Sequence, residues 1–502
     1  MRYARLLALV LCVVAAGRVL LLFVERAAGV AFAKSFKIEA AATVLVVAGA
    51  LAILCSRSDA TPPVDQPIAR LGFLSWLGFV LAAIILYWPA LSLGFLSDDF
   101  GLIARTDHWM LGAPTPSLFR PVVMFVWADL RQLGSGPVAL HLWNVALHGT
   151  AAFIVARLAS AWLTSRWTSL AAGAVFLALP VNVEPVSWIS GGFDVTMTVL
   201  ALLAIETARR YGDRTPLSTR VLFVCLIAAT LLSKETGVVA AAIVVIDAAS
   251  RGALRRPLLS DAAGCLAVGA VVGALRLYGA GMHVELTKYI VQRGAFQTVG
   301  GFAQEWPSVS VTTTPWQAVV AVTALTVVVL LFVVSASRRQ GKVELALAGW
   351  IAIAVAPVLA WIGVSQYLEG SRYLYLAAPA WAMSVVWMAL APRYVVARRA
   401  GAIALAVVFV MSVWAMRVQL AAWTEAAFLR DTVLMDLRAS AVVRSCGAID
   451  LADAPDSVRG AFVFRNSLRE ALVMSGLPPL TSAAPAGCRL RWNEARRQFE
   501  KK

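Results

Sequence analysis

The stretch LGFLSWLGFVLAAIILYWPALSLGFLSDD, residues 71–99, joins a long apolar run to two adjacent carboxylates. Residues 71–91 carry no charge and are long enough to cross a bilayer, which takes about 20 helical residues. Asp98 and Asp99 follow shortly after that run. Like charges raise each other's pKa and resist desolvation, so the pair is costly to hold at a membrane surface. We therefore expect the pair to have a chemical task, such as taking a proton or holding a cation.

The apolar pattern recurs along the whole chain. Of 502 residues, 60% are hydrophobic and 14% are charged, whereas soluble proteins average about 25% charged residues. Apolar runs of roughly 15–22 residues, separated by short charged patches, predict an all-α polytopic membrane protein. We expect about thirteen transmembrane helices, near residues 6–24, 39–55, 71–91, 139–163, 168–181, 194–208, 220–233, 237–250, 261–280, 316–335, 343–363, 374–391 and 400–418.

The net charge of +16 comes from arginines and lysines that gather in alternate loops. These basic loops lie near residues 57–70, 209–220, 251–256, 338–342 and 393–399. Such alternation is the positive-inside pattern, which places the basic loops and the N-terminus in the cytoplasm. It places two long loops, 92–138 and 281–315, and the C-terminal tail on the other side. The pattern favours membrane lipids as partners and excludes nucleic acid, and it is typical of a multi-pass protein of a cell membrane, as in a bacterial inner membrane with a periplasmic active site and C-terminus.

The sequence divides into a transmembrane domain, 1–418, and a small C-terminal extracytoplasmic domain, 419–502. Residues 420–443 have helical periodicity, residues 461–464 are typical of a short buried strand, and a second helix follows near 467–474. We expect a small α/β domain. Cys446 and Cys488 both fall in it and would pair if the tail lies in an oxidising compartment.

Polar groups recur at the outer ends of successive spans. Several have a plain structural alternative: Asp98 and Asp99 would also start the helix that begins near Phe100, and the histidines would also serve as buried hydrogen-bonding residues. Taken together on one side of the membrane, however, these groups predict a single extracytoplasmic pocket. The groups are Asp98 and Asp99, Arg120-Pro121, His141-Leu142-Trp143-Asn144 with His148, Pro180 to Asp194 including Glu184 and Trp188, Ser233-Lys234-Glu235-x-Gly237, and Arg372-Tyr373-Leu374-Tyr375-Leu376. Asp247 lies further along the span that follows Gly237.

This ordered set resembles the membrane half of the transmembrane-and-TPR protein O-mannosyltransferase family and, more loosely, the wider GT-C glycosyltransferases. The resemblance covers about residues 90–380. It implies a GT-C-like bundle and transfer of a sugar from a polyprenyl-phosphate carrier to a protein, lipid or glycan acceptor on the non-cytoplasmic face. It also implies that an acidic residue of the first outer loop is the catalytic base, a role that maps onto Asp98 or Asp99.

The chain departs from the family at three places. Asn182 stands where the family has a histidine after the proline of this motif, Ser371 stands where it often has a glutamate, and a short tail takes the place of the TPR array. These departures leave the sugar and the acceptor open.

The residue types suit the implied chemistry. An inverting transfer needs a base that deprotonates the acceptor hydroxyl, while the leaving phosphate needs cationic stabilisation. Arg372 is the first choice for the phosphate contact because a guanidinium matches two phosphate oxygens, and Arg120 and Lys234 are the second choices. We expect Glu184, Asp194, Glu235 and His148 to contact substrate, and Trp188 and Tyr373 to stack on sugar or isoprenoid.

No cofactor is required by this chemistry, although the aspartate pair would also suit a divalent cation. No metal spacing of Cys and His and no nucleotide-binding glycine loop is present in the sequence. Two other functions remain open. A transporter or flippase of lipid-linked sugars would use the same charged pocket as a proton relay, although the runs 316–334, 343–363 and 400–416 carry almost no charge. A catalytically inactive scaffold of the same fold would also retain the motifs.

Overall fold

The structure, a computed structural model, describes residues 71–106, 120–163, 165–279, 341–358, 367–390 and 395–501. The described part is mostly helical, with two small sheets in the tail. The α-helices are α1 Phe73–Leu86, α2 Asp98–Thr106, α3 Pro121–Gln132, α4 Pro137–Ala159, α5 Arg166–Ala178, α6 Val183–Ser187, α7 Gly192–Ala208, α8 Leu217–Ser233, α9 Ala240–Ser250, α10 Arg256–Gly279, α11 Gly341–Val355, α12 Ala378–Leu390, α13 Val395–Ala439, α14 Ala441–Ser445 and α15 Leu468–Met474.

Three helical segments of the described chain are long and apolar enough to cross a membrane: Pro137–Ala159, Ile189–Ala208 and Arg398–Ala439. A bent pair, Arg166–Ala178 with Pro180–Ser187, makes a fourth if it counts as one span. Other apolar helices, such as α1 and α8, are shorter than a full span. The expected count of thirteen is therefore not confirmed. The predicted spans 6–24, 39–55 and 316–335 and the predicted outer loop 281–315 lie outside the described residues.

Two breaks interrupt the apolar helices, one at Pro180 and one between the predicted spans 220–233 and 237–250. After α5 the chain turns by 56° at Pro180, whose ring removes a backbone donor and whose presence disfavours a helical conformation for Leu179. The run 220–250 breaks at Lys234, which is extended and is followed by the 3₁₀ turn Glu235–Val239. Each break brings charged residues to the end of an apolar helix.

Close backbone packing holds the centre of the bundle together. A Cβ on Gly149 of α4 would lie 2.6 Å from the Cα of Val80 in α1, and one on Gly173 of α5 would lie 2.5 Å from the carbonyl oxygen of Ala152 in α4. Small residues at such crossings let helices approach where hydrocarbon offers no hydrophobic drive for their association. The bundle therefore has a dense core around α4.

A buried ion cluster marks the end of the bundle where the basic loops lie. Asp247 of α9 accepts hydrogen bonds from Arg209 and Arg251, each with a shortest N–O distance of 2.9 Å. The loops 209–216 and 251–255 thus lie together, while Trp188 and Lys234, which precede α7 and α9 in the chain, lie at the opposite end of these helices. This arrangement agrees with the alternation of basic loops in the sequence.

The tail combines short helices with two small sheets. β1 (Asp450–Ala452), β4 (Arg489–Asn493) and β5 (Gln498–Lys501) form a sheet in the order β1-β4-β5, with β1 parallel and β5 antiparallel to β4. β2 (Ser457–Val458) and β3 (Ala461–Phe462) form a separate antiparallel pair.

The tail packs directly on the membrane domain. The 45-residue helix α13 runs through the predicted domain boundary at residue 418. The backbone N–H of Ser97 donates to the carbonyl of Val463 at 2.8 Å, and Arg430 of α13 donates to the carbonyls of Leu93 and Phe95. The segment that leads to Asp98 is therefore fixed by residues of α13 and the tail.

Cys446 and Cys488 are bonded to each other, with their Cα atoms 6.0 Å apart and a sequence separation of 42. We expect the double variant Cys446→Ser/Cys488→Ser to lower the free energy of unfolding of the tail by about 3–4 kcal/mol, because the open chain regains loop entropy. Limited proteolysis of the tail in increasing urea measures this loss. Equal protease resistance of variant and wild type would show that the bond does not form in the native protein.

Candidate functional site

A cavity of about 380 Å³ opens at the end of the bundle opposite the Asp247 cluster. Membrane-domain helices, the breaks between them and the tail all contribute to its wall. The wall is formed by Asp98, Gly101, Leu102, Arg120, Trp188, Ser190, Phe193, Asp194, Lys234, Arg372, Tyr373, Asn466 and Ser467. Seven of the eleven site residues that the sequence predicts are therefore together on one surface.

The two adjacent aspartates occupy different environments. Asp98 lies on the cavity wall, and its Oδ1 accepts a hydrogen bond from Asn466 at 2.7 Å. Asp99 is completely buried, and its carboxylate accepts from the backbone N–H groups of Leu96 and Ser190 and from the hydroxyl of Ser190 at 2.5 Å. Asp99 therefore fastens two loops together and holds Asp98 in place at the start of α2.

Burial raises the pKa of Asp99 to about 7, with the hydrogen bonds from Ser190 and Leu96 opposing the rise. The folded protein therefore binds a proton that the unfolded chain releases near pH 4, so stability falls as pH increases from about 4 to about 7. We expect the thermal midpoint of the wild type to fall between pH 5 and pH 8, and the variant Asp99→Asn to lose much of that dependence. Thermal unfolding of the two proteins in detergent tests this, and parallel pH profiles would contradict it.

The aspartate pair does not form a chelating site for a divalent cation. Both oxygens of Asp99 are already bonded to donors of the protein, so only Asp98 is left to offer oxygen to a metal. Within the part of the chain that the structure describes, no group of three or more His, Cys, Asp or Glu side chains comes together.

Three ion pairs place cations at the cavity. Arg372 pairs with Glu184, Lys234 pairs with Asp194 at 2.6 Å, and Arg120 pairs with Glu235 at 2.8 Å. The three cations and Asp194 lie on the wall, whereas Glu184 and Glu235 do not. Glu184 is only 3% exposed and also accepts from the hydroxyl of Ser371 and the backbone N–H of Arg372. The carboxylates hold the cations in fixed positions, which suits the binding of an anionic group.

Aromatic rings support the same cations. The Arg372 guanidinium lies over the rings of Tyr373 and Trp188, 4.5 and 5.2 Å from their centroids, and Lys234 Nζ lies 4.6 Å from the centroid of Tyr373. Trp188 is buried, and its indole N–H donates to the carbonyl of Leu96. The structure thus gives Trp188 and Tyr373 a direct part in positioning Arg372 and Lys234.

His148 lies outside the cavity wall. It is fully buried in α4, where Nδ1 is 2.7 Å from the hydroxyl of Tyr375 and Nε2 is 3.2 Å from the carbonyl oxygen of Leu177. With its ring packed against Phe176 and Tyr87, this histidine joins α4 to α5 and to the segment after Tyr373. The neighbouring aromatic side chains enclose the ring and separate it from the cavity where the sequence places its contact with substrate.

A second cavity of about 200 Å³ adjoins the first and shares Asp98 with it. Its wall is completed by the segment Glu369-Gly370 and by the tail residues Phe462, Arg465 and Asn466. Sequence reasoning missed these tail residues, since neither spacing nor periodicity connects them with the membrane domain. The one feature of the sequence that could have pointed to them is local composition: two hydrogen-bonding side chains, Arg465 and Asn466, directly follow four apolar residues.

Comparisons with known proteins agree with the motifs. The chain is 29% identical over 199 residues to Protein O-mannosyl-transferase Tmtc1 of Drosophila melanogaster, covering 36% of this chain and 23% of that protein. It is 30% identical over 196 residues to Protein O-mannosyl-transferase Tmtc2 of the same organism, covering 34% of this chain and 21% of that protein. The matched region thus spans less than a quarter of either relative. These matches confirm the resemblance to the transmembrane-and-TPR O-mannosyltransferases.

No protein-family model matches the chain. Among solved structures, the arabinosyltransferase EmbB from Mycobacterium smegmatis overlaps 76% of this chain and 45% of its own, with 15% sequence identity and a TM-score of 0.30. A score of that size does not establish a common fold.

Proposed function

We propose that this protein is a membrane glycosyltransferase with a GT-C-like bundle. It transfers a sugar from a polyprenyl-phosphate carrier to an acceptor hydroxyl on the non-cytoplasmic face. The observation that carries the proposal is one cavity whose wall holds the carboxylate of Asp98 together with the cations of Arg120, Lys234 and Arg372. Both relatives are named as protein O-mannosyl-transferases, which agrees with it.

The proposed reaction is a single displacement at the anomeric carbon of the donor sugar. Asp98 takes the proton of the acceptor hydroxyl as the acceptor oxygen forms a bond to that carbon. The bond between the carbon and the phosphate oxygen breaks, and its electron pair leaves with the polyprenyl phosphate. The three cations stabilise the charge that grows on the phosphate, so the leaving group needs no proton donor.

The burial pattern supports a fixed rather than a moving set of charges. Asp194 and Lys234 are both nearly buried and are bonded to each other, and Glu184 is buried behind Arg372. A preorganised set of charges lowers the barrier because it does not need to rearrange as the reaction proceeds. A proton-driven transporter would instead need charged groups along a path through the bundle. The charges of the Asp98 cavity and those of the Asp247 cluster lie at opposite ends, and α7 and α9 between them are largely apolar.

The direct test uses the purified full-length protein in lipid nanodiscs. Mass spectrometry of co-purified lipid should detect a polyprenyl phosphate or its glycosylated form. Incubation with radiolabelled polyprenyl-phosphate sugars should then release free polyprenyl phosphate together with either free sugar or a glycosylated acceptor. Intact donor after long incubation with every sugar and acceptor supplied would overturn the proposal.

A further inference from the structure

We propose that the second cavity is the acceptor site, and that its acceptor is a carbohydrate selected by the tail through Arg465 and Asn466. This inference rests on the proposed transfer function and extends it to the second substrate. The cavity lies where the segment Glu369-Gly370 of the membrane domain meets the tail segment that begins at Phe462. Neither the sequence motifs nor the relatives assign it a ligand.

The two cavities meet at the carboxylate that the reaction requires. Asp98, Arg372 and Asn466 belong to the walls of both. The general base must lie within hydrogen-bond distance of the acceptor hydroxyl, and the anomeric carbon of the donor must lie next to the oxygen of the same hydroxyl. Asn466 donates to Oδ1 of Asp98, and no hydrogen bond from the described residues reaches Oδ2. Oδ2 is therefore available to an acceptor hydroxyl, and Asn466 is a positioning residue for the carboxylate.

The charges of the second cavity disfavour an anionic ligand. Arg465 lies between two carboxylates, for it contacts Glu369 and donates to Asp456 at 2.7 and 2.8 Å. The wall of the second cavity carries two guanidinium groups, Arg372 and Arg465, and two carboxylates, Asp98 and Glu369, so its charges balance. The wall of the first cavity carries three cations and two carboxylates, which makes it the better place for a phosphate.

The remaining chemistry of the wall is that of a sugar site. Carboxylate acceptors alternate with guanidinium and amide donors over a short distance, a pattern that pairs with hydroxyls of a neutral ring. The aromatic rings do not form an apolar groove, because Phe462 is buried beneath the Arg465 guanidinium, 4.7 Å from its centroid, and Trp188 is buried beneath Arg372. A peptide that binds mainly through apolar side chains would find little exposed apolar surface in this cavity.

Transfer assays with the full-length protein test this site. The donor is the radiolabelled polyprenyl-phosphate sugar on which the wild type is active, and the acceptors are methyl glycosides and, separately, a peptide rich in Ser and Thr. We expect Arg465→Gln to raise the KM for the glycoside acceptor about tenfold or more, since it removes a charged hydrogen-bonding group. The KM for the donor, and the rate of donor hydrolysis without acceptor, should stay close to those of the wild type.

The matched control is Arg459→Gln. Arg459 also anchors this tail segment, through an ion pair with Glu425 of α13, but it lies on neither cavity wall. It should leave both KM values unchanged, which separates loss of an acceptor contact from loosening of the tail. Glu369→Gln, on the membrane-domain side, should raise the acceptor KM as Arg465→Gln does.

Three results would overturn the acceptor site. One is an unchanged acceptor KM in both Arg465→Gln and Glu369→Gln. Another is an equal rise of acceptor KM in Arg459→Gln, and the third is transfer to the peptide with none to any glycoside. A wild type that neither hydrolyses nor transfers the donor sugar would instead overturn the transfer function, and the acceptor site with it.

Discussion

Replacing Asp98 by asparagine is expected to lower the rate of sugar transfer by about 10²–10⁴-fold, the usual contribution of a general base. The amide oxygen of asparagine can still accept the hydrogen bond from Asn466, so the shape of the cavity is preserved while the ability to take a proton is lost. The measurement is the initial rate of product formation at saturating donor, together with the affinity for the donor. Donor affinity should change little, because the proposed contacts to the donor phosphate are the cations and not Asp98.

The matched control for this variant is Asp129→Asn. Asp129 is an exposed acid of α3 in the same predicted outer loop, and it is not part of either cavity wall. Its replacement should leave the rate unchanged. If Asp98→Asn makes product at the wild-type rate with normal protein levels, Asp98 is not the base, and the proposed mechanism fails at its central step.

Replacing Arg372 by glutamine is expected to lower transfer by about 10²–10³-fold, the range seen when one donor to a developing oxyanion is removed. It should also destabilise the fold by about 3–5 kcal/mol, because Glu184 is left as a buried and unpaired carboxylate. Arg372→Lys keeps the charge but loses the planar fork that matches two phosphate oxygens, and should be impaired as well. Rates at saturating acceptor and thermal unfolding of the same samples measure the two effects.

The double variant Arg372→Gln/Glu184→Gln separates catalysis from folding. It removes both charges of the pair, so the thermal midpoint should recover towards that of the wild type. Transfer should stay low, because the guanidinium that faces the cavity is still missing. Recovery of transfer along with stability would mean that Arg372 serves the fold alone and that another cation contacts the phosphate.

The sequence was sufficient to predict most of the residues of the first cavity. Arg120, Asp194, Lys234 and Arg372 are far apart along the chain, but each follows or precedes an apolar run on the side opposite the basic loops. Helices that cross a membrane bring such ends to one surface, so order and sidedness were enough to group them. The same reasoning could not give the number of spans, since several apolar helices of the described chain, such as α1 and α8, are shorter than the apolar runs suggest.

The sequence could not distinguish the two aspartates. Adjacent residues at the start of a helix point in different directions, and only the position of Ser190 makes Asp99 the buried member of the pair. Nor could it connect Asn466 to Asp98, because that contact spans 368 positions and depends on how the tail packs. Side chains that reach the site only because the tail packs on the bundle leave no periodic pattern in the sequence.

Because α13 runs without interruption from the bundle into the tail, the number of residues in this helix fixes where the tail sits relative to the bundle. Each residue of an α-helix advances the chain by about 1.5 Å and turns it by about 100°. A single insertion between Arg417 and Arg430 would therefore swing everything beyond it around the axis and carry Asn466 away from its carboxylate. Point substitutions on the lipid-facing side of this helix should be tolerated, whereas insertions and deletions of one residue should not. A related protein with a different tail would need to keep the same helical rotation between the bundle and the tail.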